Sequence, residues 1–494
     1  MTAILVVDVG TTGLRAAVVD ENLSIRALEY RPCPPTIPAP GLVEFDASDI
    51  ASKLLDAAHA VMASVDTPID AVGITNQRAS ALVWDRATGE PIAPGLGWQD
   101  LRTVGDCMVA KAEHGWSLAP NQSVTKISWL LANTPDLDGR DLCAGNIDSW
   151  IAWTLSGGAS NSKAIHVSDQ TNASATINGL RLPDGSGWNE DLCEAFGIPT
   201  AILPDVVDSV GIFGSASALP GSPPIASILG DQQASLIGQN CVVPGTAKIT
   251  FGTGGMLDLC TGLDAPGSVV RHTSGTYPMP MWSRNGELIW GVEGIMLSAG
   301  SNVEWLRDDL GLITTSAESH EVASGCDDTD GVMYVPALLG LGTPQWDYGA
   351  RGTLLGITRG TNRSHVVRAV LEGVADRGAD LLEAARADTG IDIQIVRIDG
   401  GMSENPTFTQ ALADATDRAI EVAPVADATT IGAAFMAGLG IGVWSDMSDL
   451  DSLWRPSIVV EPHQSGQHAS RRSRWREALE RSAGWIPELS ALDF

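Results

Sequence analysis

Two pairs of short apolar runs, far apart in the chain, each surround a turn of glycine and threonine. Runs of this length on both sides of a glycine turn are typical of a β-hairpin. The same element is therefore predicted once in each half of the chain. The first pair of runs is 4–7 and 15–19, around Asp8-Val9-Gly10-Thr11-Thr12-Gly13, and the second is 247–250 and 256–259, around Phe251-Gly252-Thr253-Gly254-Gly255.

Both turns have a composition that suits phosphate. Glycine and threonine leave backbone N–H groups accessible and add hydroxyl donors, and successive N–H groups in a turn form a concave nest for an anion. One such turn is weak evidence, because glycine–threonine turns are common in hairpins. Two copies predict duplicated domains that hold a polyphosphate between them, which is the arrangement of an actin-like ATPase or a sugar kinase.

Helical and strand patterns alternate around the two hairpins. Asp46 is a predicted N-cap, followed by apolar residues at helical spacing. Residues 172–188 are polar and rich in glycine, which predicts a surface excursion, and the arginine-rich run at 471–474 predicts a peripheral helix. The predicted helices are 47–65, 125–131, 148–155, 295–310, 364–386 and one from about 405, and the predicted strands are 71–75, 81–84, 225–229 and 394–398.

The strand at 394–398 ends in Asp399-Gly400-Gly401, just before a predicted helix. A strand, a glycine turn and a helix N-terminus direct amide donors and the positive end of the helix dipole at a phosphate. This turn lies in the second of the two domains that we expect, 1–243 and 244–494.

Composition restricts the partners of such a protein. The 494 residues carry a net charge of −30 and the pI is about 4.4, so nucleic acid and anionic lipid are repelled. The cysteines lie far apart without a Cys-x-x-Cys pair, which argues against a disulfide framework or a zinc site. Asp8 interrupts the first apolar run, and no run reaches the roughly 18 residues of a membrane span. We expect a cytoplasmic protein without nucleic-acid binding or membrane insertion.

Further motifs follow one another in a set order. They are Gly73-Ile74-Thr75-Asn76-Gln77-Arg78, Trp98-Gln99-Asp100-Leu101-Arg102-Thr103, Thr125-Lys126-Ile127-Ser128-Trp129, Gly230-Asp231-Gln232-Gln233, the stretch 300–305, the stretch 351–360 and Asp399-Gly400-Gly401. With the two hairpins, this series resembles the FGGY carbohydrate kinases, and among them glycerol kinases most of all. The similarity covers about residues 3–445.

The resemblance implies an α/β fold of duplicated ribonuclease-H-like (actin-like ATPase) domains with a cleft between them. By the same resemblance, the N-terminal domain, 1–243, is expected to bind the polyol or sugar and to carry the catalytic aspartate, and the C-terminal domain, 244–494, is expected to bind the nucleotide. It also implies ATP and Mg²⁺ as cofactors, and transfer of the γ-phosphoryl group to a hydroxyl of a small polyol or sugar. A homo-oligomer, a dimer or a tetramer, is expected.

A residue-by-residue match carries the family's roles onto this chain. Asp231 matches the catalytic base, and Asp8 matches the carboxylate that holds Mg²⁺ through water. Glu304 stands where glycerol kinases have a glutamine. The residues expected at the terminal phosphates are Thr11, Thr12, Arg15, Gly252 and Thr253, and those expected along the nucleotide are Gly300, Glu304, Gly401 and Asn405.

The acceptor pocket keeps part of the family pattern. By the same match, Arg78, Trp98, Asp231 and Gln232 are expected to contact the acceptor hydroxyls. Three positions depart from glycerol kinases: Ala79 replaces a glutamate, Asn121 a tyrosine and Met256 a phenylalanine. Because a site built for a hydroxyl loses about 10⁴-fold when a partner is missing, we hypothesise a longer acceptor, a polyol or ketose of four or five carbons.

Other functions remain open from the sequence. A pentulose kinase such as a xylulokinase has the same motifs, although Asn76-Gln77-Arg78 is more like glycerol kinases. An inactive sugar sensor would not need to retain both Asp8 and Asp231. An actin-like filament or chaperone ATPase would not need Arg78 and Trp98 to contact an acceptor.

Overall fold

The computed structural model describes residues 2–176, 187–265, 271–424, 427–463 and 468–492. The strands are β1 (Ala3–Val9), β2 (Gly13–Asp20), β3 (Ile25–Pro32), β4 (Glu44–Phe45), β5 (Ala71–Asn76), β6 (Ala81–Asp85), β7 (Gly95–Leu96), β8 (Leu142–Asn146), β9 (Val167–Asp169), β10 (Asp205–Val207), β11 (Val210–Ser215), β12 (Pro224–Gly230), β13 (Thr246–Phe251), β14 (Gly255–Gly262), β15 (Tyr277–Arg284), β16 (Glu287–Met296), β17 (Met333–Val335), β18 (Thr353–Leu355), β19 (Ile395–Asp399), β20 (Ile420–Val422) and β21 (Ile458–Val460). The helices are α1 (Ala47–Ala63), α2 (Val104–His114), α3 (Ser123–Asn133), α4 (Ile147–Leu155), α5 (Gln170–Thr176), α6 (Glu190–Ala195), α7 (Asp231–Gly238), α8 (Ser301–Glu304), α9 (Glu318–Ala323), α10 (Arg363–Thr389), α11 (Pro406–Thr416), α12 (Ala428–Gly440), α13 (Leu450–Leu453), α14 (His468–Ser482) and α15 (Pro487–Ser490).

Both predicted hairpins are present, and each begins one copy of the same arrangement of strands. In the first half, β3, β2 and β1 are antiparallel neighbours, and β5 and β12 continue the sheet in parallel. In the second half, β16, β14 and β13 are antiparallel neighbours, and β19 and β20 continue in parallel. The two copies belong to one 13-stranded sheet, in which β15 and β11 lie between them. The expected duplication of an α/β unit is confirmed.

Parallel strands bring the polar residues at their carboxyl ends to one edge of the sheet. Strands β1, β5 and β12 are neighbours in register, so that Asp8 lies opposite Thr75 and Asn76 lies opposite Gly230. Asp231 begins α7 directly after β12. In open α/β sheets, ligands bind outside this edge of the strands. The order of the strands thus brings together residues that are far apart in the sequence.

Helices α7 and α12 cross at two glycines. A Cβ added to Gly238 would lie 1.9 Å from the Ala428 carbonyl oxygen, and one added to Gly432 would lie 1.9 Å from the Ala234 carbonyl oxygen. No side chain fits at such a distance. Helix α12 comes from the second half of the sequence, yet its apolar residues pack in one core with residues of β1 and β12. The two halves are therefore joined through this crossing as well as through the sheet.

Three sequence-based predictions of structure need correction. The helix predicted for 295–310 begins only at Ser301, because β16 extends to Met296 and pairs with both β14 and β15. The excursion predicted for 172–188 begins inside helix α5, where Asn172 is fully buried, and residues 177–186 lie outside the described part of the chain. Helix α14 is not peripheral, since Trp475 is fully buried and Arg472 nearly so.

Candidate active site

The first glycine–threonine turn lies at the edge of the sheet and is braced by neighbouring backbone. The Gly10 N–H donates to the Gly13 carbonyl oxygen at 3.0 Å. Trp98 Nε1 donates to Thr11 Oγ1 at 3.1 Å, so the Thr11 hydroxyl accepts there and keeps its own proton for another partner. Thr12 is exposed. This turn presents threonine hydroxyls from a rigid hairpin.

The second turn accepts backbone hydrogen bonds from the segment that follows β16. The N–H groups of Ala299 and Gly300 donate to the carbonyl oxygens of Thr253 and Gly252, both at 2.8 Å. A Cβ at Gly300 would lie 2.6 Å from the Gly252 carbonyl oxygen, so glycine is required for this contact. Thr253 is exposed, as Thr12 is in the first turn. The two turns therefore share an exposed threonine on a braced hairpin.

Asp231 occupies the first turn of α7, beside a cation. Its side chain is 32 % exposed, and Arg78 Nε lies 3.9 Å from Asp231 Oδ1. Partial burial of the carboxyl group raises the pKa of Asp231 above its usual range, while the Arg78 guanidinium opposes that rise. A carboxylate with a raised pKa is a better proton acceptor than an ordinary aspartate. The position and the electrostatics both suit a general base.

Asp8 is a buried carboxylate with one cationic partner. Arg15 Nη1 lies 3.2 Å from Asp8 Oδ2, and Arg15 also approaches Asp427 at 3.9 Å. Burial raises the pKa of Asp8 to about 6, and the nearby charge of Asp231 adds to the rise. A buried carboxylate whose pKa is raised by burial and by a neighbouring carboxylate favours a cation beside it.

Arg78 is fixed by a residue that the sequence analysis did not single out. Its Nη2 donates to Glu293 Oε2 at 2.5 Å, and Nη1 contacts Met279 Sδ at 3.2 Å. Trp98, which is also expected to contact the acceptor, is 39 % exposed. The structure thus brings Arg78, Trp98 and Asp231 to the edge where Asp8 and Thr11 lie.

The three positions that depart from glycerol kinases lie on different elements. Ala79 is buried and has a φ of 68°, which is uncommon for a residue with a Cβ. Ser123 Oγ donates to Asn146 Oδ1 at 2.7 Å and lies 3.3 Å from the Ala79 carbonyl oxygen, so the start of α3 lies against the segment that follows β5. Asn121 is exposed just before α3, and Met256 is half-buried in β14.

The residues expected along the nucleotide follow β16 and β19. Glu304 is exposed in α8. Gly400 has a φ of +87° and lies against the backbone of Phe251, whereas a Cβ on Gly401 would have nothing within 4 Å. Asn405 caps α11, since its Oδ1 accepts from the Phe408 N–H at 3.1 Å and its Nδ2 donates to Ser319. Asn405 therefore has a structural role, and its contact with a nucleotide stays a prediction.

Two further buried charges were missed by sequence reasoning. Lys248 Nζ donates to Gln232 Oε1 at 2.7 Å and to Asp258 Oδ2 at 2.8 Å, and the side chains of Lys248 and Asp258 are fully buried. A charged residue between apolar neighbours in a predicted strand was the available signal, because burial of lysine is rare unless it is paired.

Comparison with known proteins agrees with this geometry. The N-terminal domain of the FGGY family of carbohydrate kinases matches residues 3–238, and its C-terminal domain matches residues 247–441. The chain is 40 % identical to the glycerol kinase of Rhodopirellula baltica, over 99 % of this chain and 93 % of that protein. It is 37 % identical to the glycerol kinase of Deinococcus radiodurans, over 99 % of both.

Solved structures show the same relationship. The crystal structure of Plasmodium falciparum glycerol kinase with ADP has a TM-score of 0.90 to this chain at 31 % identity, covering 98 % of each chain. The ligand-bound xylulose kinase from Lactobacillus acidophilus shares the fold, with a TM-score of 0.85 at 20 % identity over 98 % of this chain and 99 % of that one. Among the described residues, none of the helices has the length and apolar character needed to cross a membrane. The chain belongs to the FGGY family of carbohydrate kinases, and it is a phosphotransferase that uses ATP to phosphorylate an alcohol group of a small polyol or sugar.

Proposed function

We propose that Asp231 is the general base that takes the proton from the acceptor hydroxyl as this oxygen attacks the terminal phosphorus of ATP. The observation that carries the proposal is the position of Asp231 at the start of α7, next to Arg78 and within the electrostatic influence of Asp8. General-base catalysis contributes about 10²–10⁴ in rate. Arg78 stabilises the charged form of the carboxylate from 3.9 Å and so partly offsets the rise in its pKa.

The phosphates are assigned to the two hairpin turns. Thr11, Thr12 and Arg15 donate to the terminal phosphates from one side, and Gly252 and Thr253 from the other. The free proton of the Thr11 hydroxyl supports this assignment, since Trp98 already occupies one of its lone pairs. Gly300, Glu304, Gly401 and Asn405 are assigned to the nucleotide. Positioned donors of this kind act where charge develops in phosphoryl transfer.

Asp8 is the proposed holder of Mg²⁺. When bound, Mg²⁺ neutralises charge on the transferring phosphoryl group. In the described part of the chain, no three histidine, cysteine, aspartate or glutamate side chains converge as a metal site. A single hard carboxylate fits an ion whose ligands are phosphate and water oxygens, which Mg²⁺ favours, and Asp8 would hold the ion through one of those waters.

The acceptor is proposed to be a polyol or ketose of four or five carbons. The smaller Ala79 and the unbranched Met256 support extra room at the acceptor, and the lost glutamate removes one partner for a hydroxyl of glycerol. Glycerol is the direct competitor, because the relatives named above are glycerol kinases. We also propose a cytoplasmic homo-oligomer, a dimer or a tetramer, with the domain division at 243/244.

A panel assay tests the acceptor proposal. ADP release is measured with purified protein, ATP and Mg²⁺, across glycerol, tetritols, pentitols, tetruloses and pentuloses. The proposal predicts that kcat/KM is highest for a four- or five-carbon compound. A kcat/KM for glycerol that is far above all the others would overturn the choice of acceptor and leave the kinase activity intact.

A further inference from the structure

A row of charged residues crosses the sheet beneath helix α7. In the register of the strands, each of these residues lies directly opposite the next, so all of them face the same side of the sheet. The row is Glu421 on β20, Arg397 on β19, Lys248 on β13, Asp258 on β14 and Glu293 on β16. These residues come from the second half of the sequence, whereas α7 comes from the first.

The row holds α7 at both ends. At its C-terminal end, Arg397 Nη1 donates to the carbonyl oxygens of Gln239 and Asn240, at 2.8 Å and 2.6 Å. At its N-terminal end, Lys248 Nζ donates to Gln232 Oε1 at 2.7 Å. The rotation and the position of α7 along its axis are thereby fixed, and with them the direction of the Gln232 side chain.

The chemistry of lysine decides which way the Gln232 amide points. An ammonium group has three donors and no acceptor, so the amide atom that faces it must be the oxygen. The Gln232 NH₂ group is then left for the other side of the side chain. Lys248 is itself held by Asp258, whose second oxygen, Oδ1, has no hydrogen-bond partner among the described residues.

We propose that Lys248 is a positioning residue for the acceptor site, and that it turns the Gln232 NH₂ group toward the acceptor. The proposal rests on the proposed function, in which Gln232 contacts the acceptor. Position 232 then donates a hydrogen bond and recognises a lone pair on a carbonyl or hydroxyl oxygen. The same row fixes Arg78 through Glu293, so two donors at the acceptor are oriented by one set of buried charges.

A pair of variants separates positioning from stability. Lys248→Met with Asp258→Leu removes both members of the buried ion pair and leaves no unpaired charge, an exchange that proteins often tolerate. We expect the KM for the best acceptor to rise about tenfold, which corresponds to the free energy of about one hydrogen bond. The KM for ATP should stay within twofold of the wild-type value. Asp258→Asn is the comparison variant, because it keeps an acceptor for Lys248 and leaves the Lys248–Gln232 bond. It leaves the buried lysine without its counter-ion, so the Tm should fall, but both KM values of the folded variant should stay within twofold.

Gln232→Glu is the second test, and it does not depend on the double variant being folded. A glutamate can pair with Lys248 but offers the acceptor no N–H, so the acceptor KM should rise tenfold or more. An unchanged acceptor KM in Gln232→Glu overturns the proposal. Gln232→Ala is measured alongside the double variant: if it raises the acceptor KM while the folded double variant leaves that KM unchanged, the proposal is also overturned. A wild-type protein inactive on every polyol and sugar would refute the proposed function instead. In that case the bond between Gln232 and Lys248 can still be tested by NMR. The ¹⁵N chemical shift of the Gln232 side-chain amide should differ between the wild type and the double variant, which lacks Lys248.

Discussion

Asp8 is buried, and burial disfavours the charged form of its carboxyl group. Its pKa in the folded protein is about 6, against an ordinary value of 3.8, so the folded state binds this proton more tightly than the unfolded state. Stability from this group is therefore fully present below pH 3.8 and is lost as the pH rises through about 6. Asp8→Asn removes the cost of the buried charge and should raise the Tm at pH 8 by a few degrees, with the gain disappearing toward pH 4.

The same change should abolish most of the activity, because a neutral amide attracts the hydrated Mg²⁺ ion far less than a carboxylate does. Thermal unfolding at pH 8, 6 and 4, alongside the ADP-release assay, checks both effects. A variant that is less stable than the wild type at pH 8 would show that the Arg15–Asp8 ion pair outweighs burial.

Ala79 offers a gain-of-function test. Its left-handed backbone already accommodates a Cβ, so Ala79→Glu brings no further backbone strain of that kind. If Ala79 lies at the acceptor site as proposed, a carboxylate next to Arg78 adds a partner for a hydroxyl of glycerol, and the KM for glycerol should fall about tenfold. Ala79→Gln is the matched neutral control and should give a smaller change. Equal effects from the two variants would contradict the assignment of Ala79 to the acceptor site.

At the scale of elements, helix α14 is held to α10 by buried charges. Arg472 Nη2 donates to Asp380 Oδ1 at 2.6 Å and to Glu383 Oε1 at 2.9 Å, and Trp475 Nε1 also donates to Asp380. Arg472→Ala removes the bonds to Asp380 and Glu383, although Asp380 keeps Arg377 at 2.9 Å, so it should lower the free energy of unfolding by about 1.5–3 kcal/mol. Denaturant unfolding measures this, with the exposed Arg476→Ala as control. A midpoint as high as that of the control would refute the packing role of α14.

These elements also show what the sequence could predict. The two hairpins, α1 with its Asp46 cap and most of α10 were predicted, because local apolar spacing and turn residues determine them. The end of β16 was mistaken for helix, since short apolar runs suit either structure. Lys248 and Asp258 lie opposite each other in the predicted second hairpin, so their pairing was available from the sequence. Glu293 was missed because its contact with Arg78 depends on which distant strands become neighbours. The same limit explains why the buried contacts of Arg472 were not foreseen.

At the scale of the whole molecule, the two halves meet where α7 crosses α12. Gly432→Ala forces a methyl group against the Ala234 carbonyl oxygen, and the helices must separate. Because α7 carries Asp231, we expect a lower Tm and a loss of about tenfold or more in kcat/KM, as misplacement of a catalytic group by about 1 Å can cost 10²-fold. Gly105→Ala is the control, since a Cβ there has nothing within 4 Å. Unchanged activity in Gly432→Ala would mean that this crossing does not position Asp231.

The central claim is that Asp231 takes a proton from the acceptor. Asp231→Asn keeps the shape of the side chain and removes the base, so turnover of the best acceptor should fall by about 10²–10⁴-fold. The dissociation constant for ADP, measured by calorimetry, should stay within twofold of the wild type. Turnover within a few-fold of the wild type, with ADP binding intact, would contradict the account.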